Sequence, residues 1–282
     1  MRFRIDFAYD GTDFSGWARQ PGRRTVEEEL TVALERVLRR DGVKLTVAGR
    51  TDAGVHARGG VCHGDVDAEA WTALPGRSDR APAQALVTRL NGVLPGDVVV
   101  KGVSEQPDAF DARFAALKRR YSYRIVDEPA RLDPLRRRDT VVVKRRLDVD
   151  AMNAASALLV GLHDFAAYCK PREGATTIRT LLDYAWSRDA DGILVARLEA
   201  DAFCHSMVRA LIGGVVPVGE GRRPIEWPAQ VLAAARRDPG VVVMPPHGLC
   251  LEEVSYPSPD QFAARDAASR VMRSAADLDG AS

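Results

Sequence analysis

No apolar run in these 282 residues approaches the roughly 18 that a membrane-spanning helix needs. The chain opens on Met1-Arg-Phe-Arg-Ile-Asp6 with no signal-peptide pattern, so a cytoplasmic protein with no membrane partner is expected. Cysteine is sparse: Cys62, Cys169, Cys204 and Cys250 show no C-x-x-C spacing. That excludes a disulfide framework or a zinc knuckle as the organising principle and leaves free, mostly buried thiols as the expectation. Net charge is nearly lacking too, because 40 basic residues stand against 39 acidic ones for a formal +1. Overall charge therefore identifies no polyanionic partner. What is present is ordinary for a globular protein, with 46% hydrophobic and 28% charged residues, in a length that suits one large or two small domains.

Charge is distributed less evenly than its sum suggests. From Arg113 to Arg146 there are 12 Lys/Arg against four Asp/Glu, a local excess of +8. Such a run is consistent with a nucleic-acid footprint and equally with a solvated face.

The period of the apolar positions switches in an ordered way along the first half. Phe3, Ile5, Phe7 and Tyr9 alternate as a strand with one buried face. Thr25-Val-Glu-Glu28 reads as a capping box for a helix carrying Val26, Leu30, Leu34, Val37 and Leu38, stopped at Asp41-Gly42. Val43, Leu45 and Val47 predict a second strand, Gly60–His63 a third, Pro82–Leu90 a helix and Val98–Lys101 a fourth strand. The second half repeats the order: strand 120–126, helix 149–159, a hairpin of 181–186 and 193–198 turned at Asp189–Gly192, helices at 207–216 and 229–235, and a closing strand at 249–256. The predicted fold is α+β, two ferredoxin- or RRM-like β-α-β-β-α-β halves with sheets side by side around a central cleft. The expected domains are residues 1–106, residues 107–257, and an Ala/Asp/Arg-rich appendage at 258–282, helical in part.

Between the second and third strands lies Val47-Ala-Gly-Arg-Thr-Asp-Ala-Gly-Val-His56. An aspartate before Ala-Gly is ordinary turn chemistry. Here, however, Asp52 follows a strand end, Arg50 is two positions away, and Gly49 and Gly54 permit close backbone approach. In a partly dry site burial would raise the carboxyl's pKa, while a guanidinium within about 4–6 Å would oppose the shift and fix the carboxylate's direction. His56, Cys62 and His63 lie nearby but match no common zinc spacing, so no metal is expected.

The string Gly49–Ala57, GRTDAGVHA, resembles the central motif of the tRNA pseudouridine synthase A family. Further segments resemble family motifs in the same order: Tyr9–Gln20 (YDGTDFSGWARQ), Phe110–Tyr123 (FDARFAALKRRYSY), Leu159–Tyr168 (LVGLHDFAAY), Ala200–Gly213 (ADAFCHSMVRALIG) and His247–Pro257 (HGLCLEEVSYP). The resemblance covers almost everything from Phe3 to Pro257.

It implies an enzyme that converts uridine to pseudouridine at positions 38, 39 and/or 40 of the tRNA anticodon stem-loop, with no cofactor, as a homodimer. It implies Asp52 as the catalytic nucleophile, Arg50 as the base-flipping arginine, Tyr121 as the platform that stacks on the target base, and Arg209 as the partner of the aspartate. Arg113 within Phe110–Phe114, with Lys118, Arg119 and Arg120, would contact tRNA. Departures from the family pattern are Asp111 where histidine is usual, Ser206 and Ala210 in the helix motif, and Lys170-Pro-Arg-Glu-Gly174 where Gln-Ser-Arg is often found. The last change leaves Arg172 or Arg179 as substitutes. Two other readings are a non-catalytic RNA-binding module or RNA chaperone on the same sheets, and a hydrolase using Asp52. The first has no need of a carboxylate facing an anionic ligand, and the second lacks an evident second acid or metal.

Overall fold

The computed structural model describes residues 1–172, 174, 176–271, 273–274 and 276–279. The chain is mixed α+β with mostly antiparallel strands, as expected, and it divides into two compact units. One comprises Met1–Leu117 and Leu251–Val271, the other Lys118–Cys250 with the described residues 273–274 and 276–279.

The first unit runs β1 (Arg2–Tyr9), α1 (Val26–Leu38), β2 (Thr46–Val47), β3 (His56–Asp65), α2 (Ala68–Thr72), α3 (Pro82–Asn91) and β4 (Val98–Gln106). Strand β1 is central and antiparallel to both β3 and β4, with Ile5 opposite Cys62 and Val103. Together with β2 on β3 this is the strand arrangement of a ferredoxin-like β-α-β-β-α-β unit. Alternation works as read: Phe3, Ile5 and Phe7 are buried, as are Leu30 and Leu34 of α1 and Leu86 and Leu90 of α3.

Two details differ from expectation. Strand β2 is only two residues long, so most of the alternating Val43–Val47 segment is irregular. Thr25 does occupy the helix N-cap in extended conformation, but its hydroxyl makes no cap bond. The first N–H groups of α1 instead meet backbone carbonyls, Val26 on Gly16 and Glu27 on Trp17, so the turn that would have needed a side-chain cap is closed by the preceding loop.

Strand β10 (Leu249–Ser255) follows β3 in the strand order, and the Cβ that Gly59 lacks would lie 2.2 Å from the carbonyl oxygen of Glu252. Only glycine allows that approach. Beyond it, α7 (Phe262–Arg270) buries Phe262 against Phe110, ring centroids 5.1 Å apart. This part of the appendage is thus helical and packed on the first unit.

The second unit runs β5 (Lys118–Val126), β6 (Val141–Val142), α4 (Val149–Ala157), β7 (Gly161–Asp164), β8 (Ile178–Arg188), β9 (Leu194–Ala200), α5 (Met207–Gly219), α6 (Trp227–Ala233) and, at its end, α8 (Ala276–Asp279). The strands lie in the order β5-β9-β8-β7. The β8–β9 turn has Gly192 at φ 79° and Asp189 accepting from the N–H groups of Asp191 and Ile193. Helix α4 is fixed to β8 by Asn153, whose amide exchanges two hydrogen bonds with the backbone of Trp186. Helix α5 is longer than its apolar period predicts, continuing through Pro217. Gly213 lets it press on the chain at Val242, where a Cβ would meet the carbonyl oxygen at 1.7 Å.

The expectation of four free thiols is corrected. Cys169 and Cys204 are joined as a disulfide, while Cys62 and Cys250 are free and buried. The cause is tertiary: the turn after β7 lies on the loop before α5, where the Lys170 N–H donates to the His205 carbonyl at 2.9 Å. No local spacing announces such a pairing.

Candidate functional site

Asp52 is half-buried on the connection between β2 and β3. The connection begins where the Ala48 N–H donates to Val61 and ends in a turn whose Val55 N–H donates to the Asp52 carbonyl at 3.2 Å, with Gly54 at φ 76°. The loop Asp10–Trp17 crosses it. The Trp17 N–H donates to the Thr51 carbonyl (3.1 Å), the Gly54 N–H to the Phe14 carbonyl (3.3 Å) and the Gly11 N–H to His56 Nδ1 (3.0 Å). A buried hydrogen bond of 2.6 Å joins the Tyr9 hydroxyl to Thr51 Oγ1. Two glycines make the crossing possible: a Cβ on Gly11 would lie 1.9 Å from the Val55 carbonyl oxygen, and one on Gly16, at φ 91°, 2.8 Å from that of Thr51. Arg50, on the same connection, is exposed.

The Phe110–Phe114 turn is built differently. Phe110 is fully buried among His63, Tyr256 and Phe262. Its carbonyl accepts from the Arg2 guanidinium at 2.9 Å. The Ala112 N–H donates to His63 Nδ1 (3.0 Å), and its carbonyl accepts from the Tyr256 hydroxyl (2.6 Å). Asp111, which stands where the family usually has histidine, accepts from the N–H groups of Arg113 and Phe114 and so caps the turn itself. The exposed Arg113 guanidinium lies 4.8 Å from the Phe114 ring centroid, and Arg270 of α7 lies 4.1 Å from the same ring. Burial, helped by the Arg2 guanidinium, pushes the His63 pKa down, which keeps its Nδ1 lone pair available to Ala112. His56 Nδ1 likewise meets a backbone N–H, that of Gly11, and it also lies 3.1 Å from Asp10 Oδ1.

In the second unit Tyr121 lies on β5 opposite Leu198 of β9, 7% exposed, with Phe203 edge-on at 5.2 Å. Tyr123, two residues on, is fully buried and donates to the Pro245 carbonyl at 2.8 Å. Arg209, in the first turn of α5, donates from Nε to the Met244 carbonyl at 2.6 Å, and its own carbonyl accepts from the Met244 N–H.

The remaining predicted contacts divide by exposure. Lys118 is paired with Glu199 at 2.7 Å, and Arg120 is half-buried. Arg119 is buried and donates to the Asp201 carbonyl. Arg179 is turned onto its own backbone, donating to the carbonyls of Thr176 and Ile178. Arg172 is exposed, in a loop whose Glu173 lies outside the described residues. Within the basic run Arg124 and Arg136 lie near Asp139, and Arg131 and Arg146 on Glu128, so two carboxylates are shared by four arginines. Among the described residues no cluster of three or more His, Cys, Asp or Glu could hold a metal, and no helix is long and apolar enough to cross a membrane.

The residues that hold the two loops, Tyr9, Thr51, Gly11, His63 and Tyr256, were not singled out for such roles in the sequence. The available signal was indirect, since Tyr9, Gly11 and Tyr256 sit inside the motif segments without an assigned task.

The family described as "tRNA pseudouridine synthase" matches residues 7–115 and 155–257. A protein of Frankia casuarinae named "tRNA pseudouridine synthase A" is 55% identical over 273 residues, spanning 97% of this chain and 96% of its own. One of the same name from Streptomyces griseus is 55% identical over 275 residues, covering 97% and 94%. Another from Bifidobacterium longum is 40% identical, covering 96% and 99%.

Proposed function

Because the chain belongs to the tRNA pseudouridine synthase family, we propose that it isomerises uridine to pseudouridine at positions 38, 39 and/or 40 of the anticodon stem-loop, with Asp52 as nucleophile and no cofactor. Family membership makes the chain an enzyme, an isomerase, and displaces the non-catalytic RNA-binding reading. In the reaction the N1–C1′ bond breaks, the uracil turns while held, and C5 bonds to C1′. The C5 proton is given up and N1 gains one, so atoms balance without oxidant or energy donor.

The observation that carries the assignment of Asp52 is its loop, a half-buried carboxylate on an irregular segment fixed at both ends by backbone hydrogen bonds. A group that must meet one ribose carbon benefits from that fixity, because rate depends steeply on approach geometry. Extruding a paired uridine costs a few kcal/mol. Stacking on Tyr121 would return about 1–3 kcal/mol of it, and Arg50 is free of the core to enter the vacated stack. Arg209, tethered through Nε, is proposed to steady the aspartate.

Backbone contact with tRNA falls to Arg113, Lys118, Arg120 and Arg172. Phe110 and Phe114 belong to the turn that carries Arg113, while Arg119 and Arg179 of the second unit are held on backbone carbonyls. The Asp loop belongs to the N-terminal half and the tyrosine and arginine partners to the C-terminal half, as a division of labour between two parts of one enzyme. We further place it in the cytoplasm, where tRNA is matured, as a homodimer.

The test is Asp52→Ala on an unmodified tRNA transcript. Pseudouridine formation should fall by about 10³-fold or more, the scale of losing a nucleophile, while tRNA binding survives. An active Asp52→Ala enzyme would falsify the assignment. Tyr121→Phe should retain stacking, whereas Tyr121→Ala should lose it at a cost of about 1–3 kcal/mol in base binding. Equal activity of all three Tyr121 versions overturns the platform.

A further inference from the structure

The segment Tyr9–Trp17 has no task in the reaction as proposed, yet four hydrogen bonds join it to Thr51, Gly54 and His56 around Asp52. Its own anchoring is independent of that connection. The Asp10 N–H donates to the Asp97 carbonyl (3.0 Å), and Gly16 and Trp17 receive the first N–H groups of α1. The Arg24 guanidinium lies over the Phe14 ring at 4.1 Å while paired with Asp97 and Glu29. The segment is thus tied to the end of a helix and to the start of β4 before it touches the loop.

Two of its links join backbone groups, Trp17 N–H to the Thr51 carbonyl and Gly54 N–H to the Phe14 carbonyl; a third runs from Gly11 N–H to the His56 imidazole, and the fourth is made by a side chain of the segment itself, the Tyr9 hydroxyl on Thr51 Oγ1. Tyr9 is the last residue of β1, 7% exposed, with its ring against Phe7 and Phe14 at 6.0 and 6.2 Å. Its Cα is in register with Ala57 and Val98, at the end of the strand that runs between β3 and β4. Thr51 is 8% exposed and immediately precedes Asp52. Fixing a β-branched side chain by its hydroxyl fixes χ1 and, with the Trp17 bond to its carbonyl, the peptide plane that leads into Asp52.

We infer that Tyr9 is a positioning residue for catalysis: through the Tyr9–Thr51 hydrogen bond it sets the direction from which Asp52 meets the ribose of the substrate. This rests on Asp52 being the nucleophile. Tyr9 touches neither substrate nor reacting atoms in this role. Its effect therefore belongs in kcat and not in tRNA binding, since a displacement of about 1 Å in a reacting group is enough to slow a reaction about 10²-fold.

The experiment compares Tyr9→Phe, Thr51→Val, Thr51→Ser, the double variant Tyr9→Phe/Thr51→Val and Asp52→Asn, assayed on the full-length enzyme with tRNA transcript well below each melting temperature. Tyr9→Phe and Thr51→Val should each lower kcat by about 10- to 100-fold with KM within about twofold of wild type. Thr51→Ser, which keeps the hydroxyl, should restore most of the rate. The double variant should be no worse than the poorer single one, because both remove the same bond. Tyr168→Phe, which loses an equally buried hydrogen bond to Pro228, should leave kcat unchanged. A wild-type kcat in Tyr9→Phe, a rise in KM alone, or additive losses in the double variant overturn the inference while leaving Asp52→Asn dead. An active Asp52→Asn enzyme instead overturns the nucleophile reading beneath it.

Discussion

The loop Ala48–Val55 and the turn Phe110–Phe114 are both irregular segments of the first unit, and they are held by opposite means. The Asp52 loop is held chiefly by backbone N–H and C=O groups of a second loop, brought close by glycines that leave no room for a Cβ. The Arg113 turn is held by side chains from four places in the chain: Arg2, His63, Asp111 and Tyr256. Bonds between backbone groups do not titrate and are short-ranged, which suits a carboxylate that must stay in one place; the Gly11 bond to the His56 imidazole is the exception within that clamp. Side-chain clamping by a guanidinium and an imidazole is responsive to charge, which suits a surface that meets phosphates.

The largest effect is expected where a glycine is removed from the backbone clamp. Gly11→Ala places a Cβ against the Val55 carbonyl, and neither backbone can yield. It should cost about 1–3 kcal/mol of stability, read from denaturant melts, and slow turnover by about 10²-fold. Gly102→Ala, which enters open space, should do neither. If both variants behave alike, close approach is not what fixes the Asp52 loop.

A smaller effect is expected at Arg113. Arg113→Ala should weaken tRNA binding about tenfold with kcat unchanged, and should reduce the slope of log affinity against log salt by about one. An unchanged slope would remove Arg113 from the phosphate surface.

The smallest effect sharpens the contrast through pH. His63 has its pKa pushed down by burial and the Arg2 guanidinium, so the native state binds fewer protons there than the unfolded chain. Its contribution is fully present above the ordinary histidine pKa near 6.5 and is lost as pH falls from there through the lowered folded-state value. Thermal melts between about pH 7.5 and 5.5 should show that loss. In His63→Asn, which keeps an acceptor for Ala112 but cannot titrate, the same range should be flatter. A wild-type profile in His63→Asn would assign the pH response to another group.

Much of this was legible in the chain. Alternation gave β1 and the β8–β9 hairpin, and helical spacing gave α1, α3 and α4, because burial of one face leaves a period of about 2 or 3.6 in the sequence itself. The short strand β2 was overread. Val43 and Leu45 alternate correctly, but the edge of β3 is paired with β2 only at Cys62 and His63. The capping box did not form either: Thr25 makes no side-chain cap bond, and the Gly16 and Trp17 carbonyls instead take the N–H groups of Val26 and Glu27. The basic run after Arg113 keeps its excess of +8, since Glu128 and Asp139, already counted in that sum, are each shared by two arginines.

The sequence by itself determined the class of fold, the order of most elements and, through GRTDAGVHA and its collinear companions, the family and the candidate nucleophile. Those signals are local: each is carried by residues within a few positions of one another. Only the tertiary structure decided what holds them. Tyr9 meets Thr51 across 42 residues, His63 meets Ala112 across 49, and Cys169 meets Cys204 across 35. Hydrogen bonds and crosslinks of that span leave no period in a sequence, because packing, and not neighbourhood along the chain, selects which groups come within reach.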